Sequence, residues 1–328
     1  MSGSYASRLS QYPNKGVVGL PEIFDTTRAL HNKSKQLTKL VQASKRTVIL
    51  TGAGISTAAR IPDFRGPSGI WTLEKRQQDE TANGRKRKRP VQLDENQKHQ
   101  ATKDSIPSSQ RTESIDFAKA RPTLTHLAIT KLAKDGRIDY VVTQNVDGLH
   151  RRAGLSRNSH STVHGCVFTQ KCSNPKCGIE IFLDNEVDGL SFQPTGQLCE
   201  ECGYKMHDIL LDWEDAVLDL DLVTKKCEDA ELVLCLGTSL RINPVGSLPL
   251  LAQKFVIINL QATPFDEHAS LIIRAKVDQV MEKLMSQLGY DKSWKQEVTP
   301  VERKWKPLKG DNKAFAQILA EKHRHGAG

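Results

Sequence analysis

Residues 51–65 read Thr-Gly-Ala-Gly-Ile-Ser-Thr-Ala-Ala-Arg-Ile-Pro-Asp-Phe-Arg and stand directly behind the apolar run Thr47-Val-Ile-Leu50. A short β-branched run feeding two glycines predicts a buried strand, a tight turn and a helix opening near Ser56. Such a turn is a cradle for a nucleotide diphosphate. Gly52 supplies the turn, Ala53 follows it, and Gly54 lets the backbone approach a pyrophosphate. The helix start then aims unpaired N–H groups and a partial positive charge at the anion. An ordinary dinucleotide fingerprint is Gly-x-Gly-x-x-Gly with an acidic residue about 20 positions later. Here Thr57 replaces the third glycine and the chain runs on into Ile61-Pro62-Asp63-Phe64-Arg65, unlike a standard hydride-transfer site.

Further short apolar runs at 140–143, 232–236 and 255–260 alternate with helix-patterned segments at 35–45, 123–134 and 277–288. Strands of this kind, buried on both faces, predict an α/β protein with a doubly wound, Rossmann-like parallel sheet. Pro122 and Gly136 bracket the second helix. Val277, Val280, Met281, Leu284, Met285 and Leu288 give the third an apolar stripe.

No run approaches the ~18 apolar residues of a membrane span, and residues 1–12 lack the apolar stretch of a signal peptide. A soluble intracellular protein without a membrane partner is expected. The seven cysteines all lie between Cys166 and Cys235, a clustering that favours metal binding over a disulfide framework. Cys172-x4-Cys177 and Cys199-x2-Cys202 have the paired spacing of a structural Zn²⁺ site, with Cys166 an alternative ligand. Four thiolates leave no open position for water, so the role is structural.

The net charge of +9 is uneven: residues 75–119 and 290–328 each contribute +4. Residues 76–115 are polar and contain the run Arg85-Lys-Arg-Lys-Arg89, so a disordered basic insertion is expected there. The run reads as a nuclear import signal, a DNA-backbone contact, or a solvated loop.

Three later words complete the pattern: Gln144-Asn-Val-Asp-Gly-Leu-His150, Val163-His-Gly165 and Leu236-Gly-Thr-Ser-Leu240. In this order they resemble the sirtuins, NAD-dependent protein deacylases, from about residue 15 to 289. Gly19-Leu-Pro-Glu-Ile-Phe-Asp25, Gly69-Ile-Trp-Thr72, Leu211-Asp-Trp-Glu-Asp215 and Asn259-Leu-Gln261 are similar to the sirtuin-6 branch. The resemblance implies two lobes. An N-terminal segment and first helix (1–45) would precede an NAD-binding domain in two parts, 46–164 and 211–289. A zinc module (165–210) would be inserted between those parts, and a basic tail (290–328) would follow.

The resemblance also assigns residues. His164 would be the base that takes the ribose hydroxyl proton, with Asn145 and Asp147 orienting the ribose and the attacking oxygen. Gly52, Ala53, Gly54, Thr57, Asp63, Phe64, Arg65, Trp71, Gln144, Gly237, Thr238, Ser239, Asn259, Leu260, Gln261 and Val277 would contact NAD. Trp213 would line the acyl-lysine channel, or be a core tryptophan. His150 and His160 are expected in the core. The implied activity is removal of acetyl and long-chain acyl groups from lysine in histone tails or other chromatin proteins in the nucleus, giving nicotinamide and 2′-O-acyl-ADP-ribose. A mono-ADP-ribosyltransferase and a chromatin-binding scaffold are the alternatives.

Overall fold

The computed structural model describes residues 3–11, 15–86, 116–297, 299–307 and 312–325. Its centre is a six-stranded sheet in the order β10-β9-β8-β1-β2-β3, parallel throughout. The strands are β1 (Thr47–Thr51), β2 (Tyr140–Thr143), β3 (His160–Thr162), β8 (Leu232–Leu236), β9 (Phe255–Ile258) and β10 (Leu271–Ile273). All five residues of β1 are buried. Ile49 enters the core under helices α2 (Thr27–Ala43), α4 (Leu124–Lys134) and α7 (Val277–Gln287). Val48 and Leu50 enter the opposite core, with Val223 and Cys227 of α6 (Leu220–Glu228). The period-2 alternation of a strand buried on both faces thus builds the expected three layers.

Helix α2 shows how the sequence places a layer. Thr26 caps it by accepting from the Ala29 N–H at 3.2 Å. Leu30, Leu37 and Val41 then recur on one buried face. Deleting the fully buried Leu37 side chain would cost about 2–5 kcal/mol.

A second, antiparallel sheet in the order β11-β5-β4-β7-β6 forms the small module. It comprises β4 (Thr169–Cys172), β5 (Glu180–Phe182), β6 (Pro194–Leu198), β7 (Lys205–Asp208) and β11 (Lys304–Trp305). The last strand corrects the expectation of an appended tail. Trp294 is buried in the large core, β11 completes the small sheet, and α8 (Lys313–His325) packs Phe315 and Leu319 into the core between the lobes. The positive charge of this segment lies on a packed scaffold, because its few apolar residues recur at helical or strand spacing.

Two other expectations change. Helix α3 (Ile70–Lys86) continues well past residue 76, so the first part of the segment expected to be disordered is helical. Its polar residues 74–78 are good helix formers on a mostly exposed helix, whose start Trp71 anchors in the core. Residues 87–115 lie outside the described residues, as do the side chains of 82–86, and with them the Arg85–Arg89 run. At the other end, helix α1 (Gly3–Arg8) buries Tyr5 in the core between the lobes. Among the described residues no helix is long and apolar enough to cross a membrane.

Candidate active site

The C-terminal ends of β1, β2, β8 and β9 open into one cleft of about 280 Å³, where open α/β sheets place their ligands. The turns after β1 and β8 pack back to back. Gly54 donates its N–H to the Gly237 carbonyl at 2.8 Å. A Cβ on Gly52 would lie 2.8 Å from that carbonyl oxygen, and one on Gly54 would lie 2.8 Å from Gly237 Cα. Gly237 itself has φ +58°. The two glycines therefore serve turn-to-turn contact, and both still line the cleft.

No α-helix opens at Ser56. Two 3-10 turns, Ala53–Ile55 and Thr57–Ala59, take its place, and Arg60 ends the second with φ 64°. Short turns satisfy the local backbone without creating a long helix dipole. Thr57 is exposed and is not among the residues that line the cleft, its hydroxyl donating to the Gly54 carbonyl at 3.2 Å.

Beneath the turns lies a buried polar cluster. Ser56 Oγ donates to Asp147 Oδ2 at 2.6 Å, and the Leu149 N–H donates to Asp147 Oδ1 at 3.0 Å. Asn145 Nδ2 donates to Ser56 Oγ at 3.2 Å and to the Gly52 carbonyl at 3.1 Å. Burial raises the Asp147 pKa, and the two donors pull it back. Gln144 lies beside the cluster, its amide reaching Thr238 Oγ1 at 3.3 Å.

His164 follows β3, half-buried on the wall of the same cleft. Burial lowers its pKa to about 4, against a smaller opposing hydrogen bond at the Gln144 backbone. The ring is neutral at pH 7 and offers a lone pair for a proton. His150 and His160 lie in the core, as expected, with His126 beside them.

The opposite wall is aromatic. Phe64 and Trp71 have ring centroids 4.6 Å apart, and Trp71 and Trp213 5.2 Å apart. The Arg65 guanidinium stacks on Trp71 at 4.5 Å and donates to the Lys15 carbonyl at 3.2 Å. Its buried Nε has no partner among the described residues, and burial lowers the guanidinium pKa to about 10. Asp63 accepts from the Gly66 N–H at 2.7 Å and so fixes its own loop. Gln261 ties that loop to the N-terminal segment, donating to the Leu20 carbonyl at 2.6 Å and to the Arg65 carbonyl at 3.2 Å.

The cleft brings together all the residues assigned by resemblance to NAD or acyl-lysine except Thr57, Leu260 and Val277. The Leu260 carbonyl accepts from the Ile23 N–H at 2.8 Å, and Val277 lies in the core at the start of α7. Tyr5, Leu9, Ser56 and Phe117 line the cleft without having been assigned to it. Ser56 was discoverable from its place in the glycine turn. Tyr5 was not, because its hydroxyl donates to the Leu211 carbonyl from 206 positions away.

In the small module the four sulfurs of Cys172, Cys177, Cys199 and Cys202 lie within 4.8 Å of one another. The Cys172–Cys202 and Cys177–Cys199 separations are 3.4 and 3.8 Å. Four thiolates at about 2.3 Å from one zinc stand about 3.8 Å apart, so the donor set and its spacing fit that ion. Cys166 lies outside the group and is buried between the lobes.

Residues 52–244 match the model of the Sir2 family. The chain belongs to the Sir2 family. It is 41% identical over 293 residues to NAD-dependent protein deacetylase SRT1 of Oryza sativa subsp. indica, covering 87% of this chain and 54% of that protein. This Sir2 chain therefore spans little more than half of the plant relative. It is 35% identical over 323 residues to NAD-dependent protein deacetylase Sirt6 of Drosophila melanogaster, covering 94% and 92%. Among solved structures, a Sir2 protein with a p53 peptide and NAD+ is 27% identical, with a TM-score of 0.53 over 78% of this chain and 99% of the other.

Proposed function

We propose that this Sir2 chain is an NAD-dependent protein-lysine deacylase that releases nicotinamide, free lysine and 2′-O-acyl-ADP-ribose. The observation that carries the reading is a neutral His164 facing the same cleft as the buried Asn145–Ser56–Asp147 cluster and the unpartnered Arg65 Nε. An orphaned buried guanidinium nitrogen beside two glycine turns fits a nucleotide diphosphate. The names of the rice and Drosophila relatives support NAD dependence and deacetylation.

NAD supplies an activated ribose carbon that receives the acyl oxygen. Arg65 would hold the diphosphate, and Asn259 and Gln261 would meet the adenosine ribose. Asp147 and Asn145 are fixed dipoles placed where positive charge grows on the nicotinamide ribose, and they need no reorganisation to stabilise it. His164 would accept the ribose hydroxyl proton at a ring nitrogen, and its low proton affinity keeps that nitrogen free. Phe64 and Trp71 would shield the reacting carbon from water.

The cleft wall is partly apolar, with Leu9, Ile61, Ile70 and Trp213 on it. This supports long acyl chains as well as acetyl, since each buried methylene contributes up to ~0.8 kcal/mol. Zn²⁺ on the four cysteines would hold the small module. Likeness to the sirtuin-6 branch favours histone tails as substrates and the nucleus as the compartment, and the +9 charge favours nucleosomal DNA as a further contact.

Acetyl- and myristoyl-lysine histone peptides incubated with NAD, with products resolved by mass spectrometry, test the reading. Deacylated peptide with acyl-ADP-ribose supports it, and a lower KM for the myristoyl peptide supports the long-chain part. ADP-ribosylated peptide as the main product would replace it with a transferase.

A further inference from the structure

Residues 211–215 form one side of the cleft, with Trp213 at their centre. Two termini hold this turn. On one side Trp213 Nε1 donates to the Ser10 carbonyl at 3.0 Å. On the other, Asp215 Oδ2 accepts from the Asp212 N–H at 2.8 Å, closing the turn, while Oδ1 accepts from Ser191 Oγ at 3.0 Å. The Asp215 side chain is 4% exposed and forms an ion pair with Lys322 of α8, which also contacts Ser191 Oγ.

That lysine stands among several carboxylates. Asp208 and Asp212 are nearby carboxylates, and Asp215 helps raise the Asp208 pKa to about 6 after burial has done most of the work. Among the described residues Lys322 is the only cation paired with any of the three. Helix α8 is itself fixed. Phe315 meets Phe192 edge-on at 5.7 Å, and Asn312 Nδ2 donates to the Cys172 carbonyl at 2.9 Å. One segment thus runs from the cysteine cluster to the turn that carries Trp213.

We propose that Lys322 is a positioning residue for the acyl-lysine substrate. It acts through Asp215, setting the Asp212–Trp213 turn so that the C-terminal helix governs how tightly the acylated peptide is held. Removing the ammonium leaves a buried carboxylate among two others, and the turn it closes loosens. The role in substrate binding rests on the deacylase reading, whereas the coupling of α8 to the turn does not.

The test compares Lys322→Gln with Lys322→Arg in the full chain. The Gln variant should raise KM for an acetyl-lysine peptide roughly three- to tenfold, the range for a charged hydrogen bond partly screened by solvent. Its kcat and its KM for NAD should stay near wild type, and the Arg variant should restore the peptide KM. Amide hydrogen exchange at 211–215 should accelerate in the Gln variant and not in the Arg variant. Unchanged peptide KM and unchanged exchange overturn the proposal, as does a uniform loss in kcat and both KM values, which marks general destabilisation. If wild-type protein fails to consume NAD, the deacylase reading falls, and exchange at 211–215 still decides whether Lys322 controls the turn.

Discussion

Ser56 Oγ and Asp147 Oδ2 lie 2.6 Å apart in the floor of the cleft, joining the turn after β1 to the end of β2. The same hydroxyl accepts from Asn145, so a single side chain positions both polar residues in the cleft floor. Ser56→Ala removes a hydrogen bond to a buried carboxylate, worth about 1.5–3 kcal/mol. Deacylation by this variant should fall roughly ten- to hundredfold while circular dichroism stays native. Wild-type kcat/KM in the variant would show that Asp147 needs no such support.

The glycine contact makes a different demand. Gly54→Ala places a methyl group 2.8 Å from Gly237 Cα, backbone against backbone, so neither turn can yield by rotating a side chain. Overpacking of this kind costs about 1–3 kcal/mol and should lower Tm and weaken ADP-ribose binding together. Calorimetry showing native binding with a native Tm would contradict the back-to-back arrangement.

Local pattern carried the layers and most of the site. The strand words, the paired cysteines and the turns at Gln144–Asp147 and Gly237–Ser239 are short-range signals, and each lies at a strand end or in the sulfur cluster. What local pattern could not show is long-range. Tyr5 reaches Leu211, Lys322 reaches Asp215, and β11 joins β5, each across more than 100 positions. Polar composition also misled: residues 76–86 lack an apolar stripe yet are helical, because Trp71 anchors the helix at its first turn. Val277 shows the reverse. Its stripe position predicted core packing correctly, and it is not among the residues that line the cleft.

The sulfur cluster gives a stability prediction. Cys199→Ser leaves three thiolates and should release zinc and lower Tm, since binding energy of a structural zinc is folding energy. Zinc at one equivalent in wild-type protein and well below one in the variant, read by elemental analysis, is the expected result. Wild-type protein free of zinc would refute the assignment.

Acid sensitivity follows from the buried histidines. Burial lowers the His150 pKa to about 3, its Nε2 lies 3.1 Å from Thr51 Oγ1, and its Nδ1 has no partner among the described residues. A folded-state pKa below the unfolded value of about 6.5 means that the unfolded chain binds the extra proton. The stability contribution is complete above about pH 6.5 and is lost as pH falls towards 3. In His150→Gln the slope of unfolding free energy against pH should therefore decrease, by up to about 1.4 kcal/mol per pH unit near pH 4.5. Urea titrations between pH 7 and pH 4.5 measure it, and parallel curves for the two proteins would show that His150 titrates normally.

If His164 is the base of an NAD-dependent deacylation, both the pH profile of turnover and substitution of the imidazole must show it. Because the folded-state pKa is about 4, the base form persists through pH 6.5, and kcat/KM on an acetyl-lysine peptide should fall only as pH drops towards 4. His164→Tyr, folded and retaining zinc, should lose nicotinamide release and deacylated peptide by at least about 10²-fold. Turnover within a fewfold of wild type by the folded His164→Tyr variant would contradict the account.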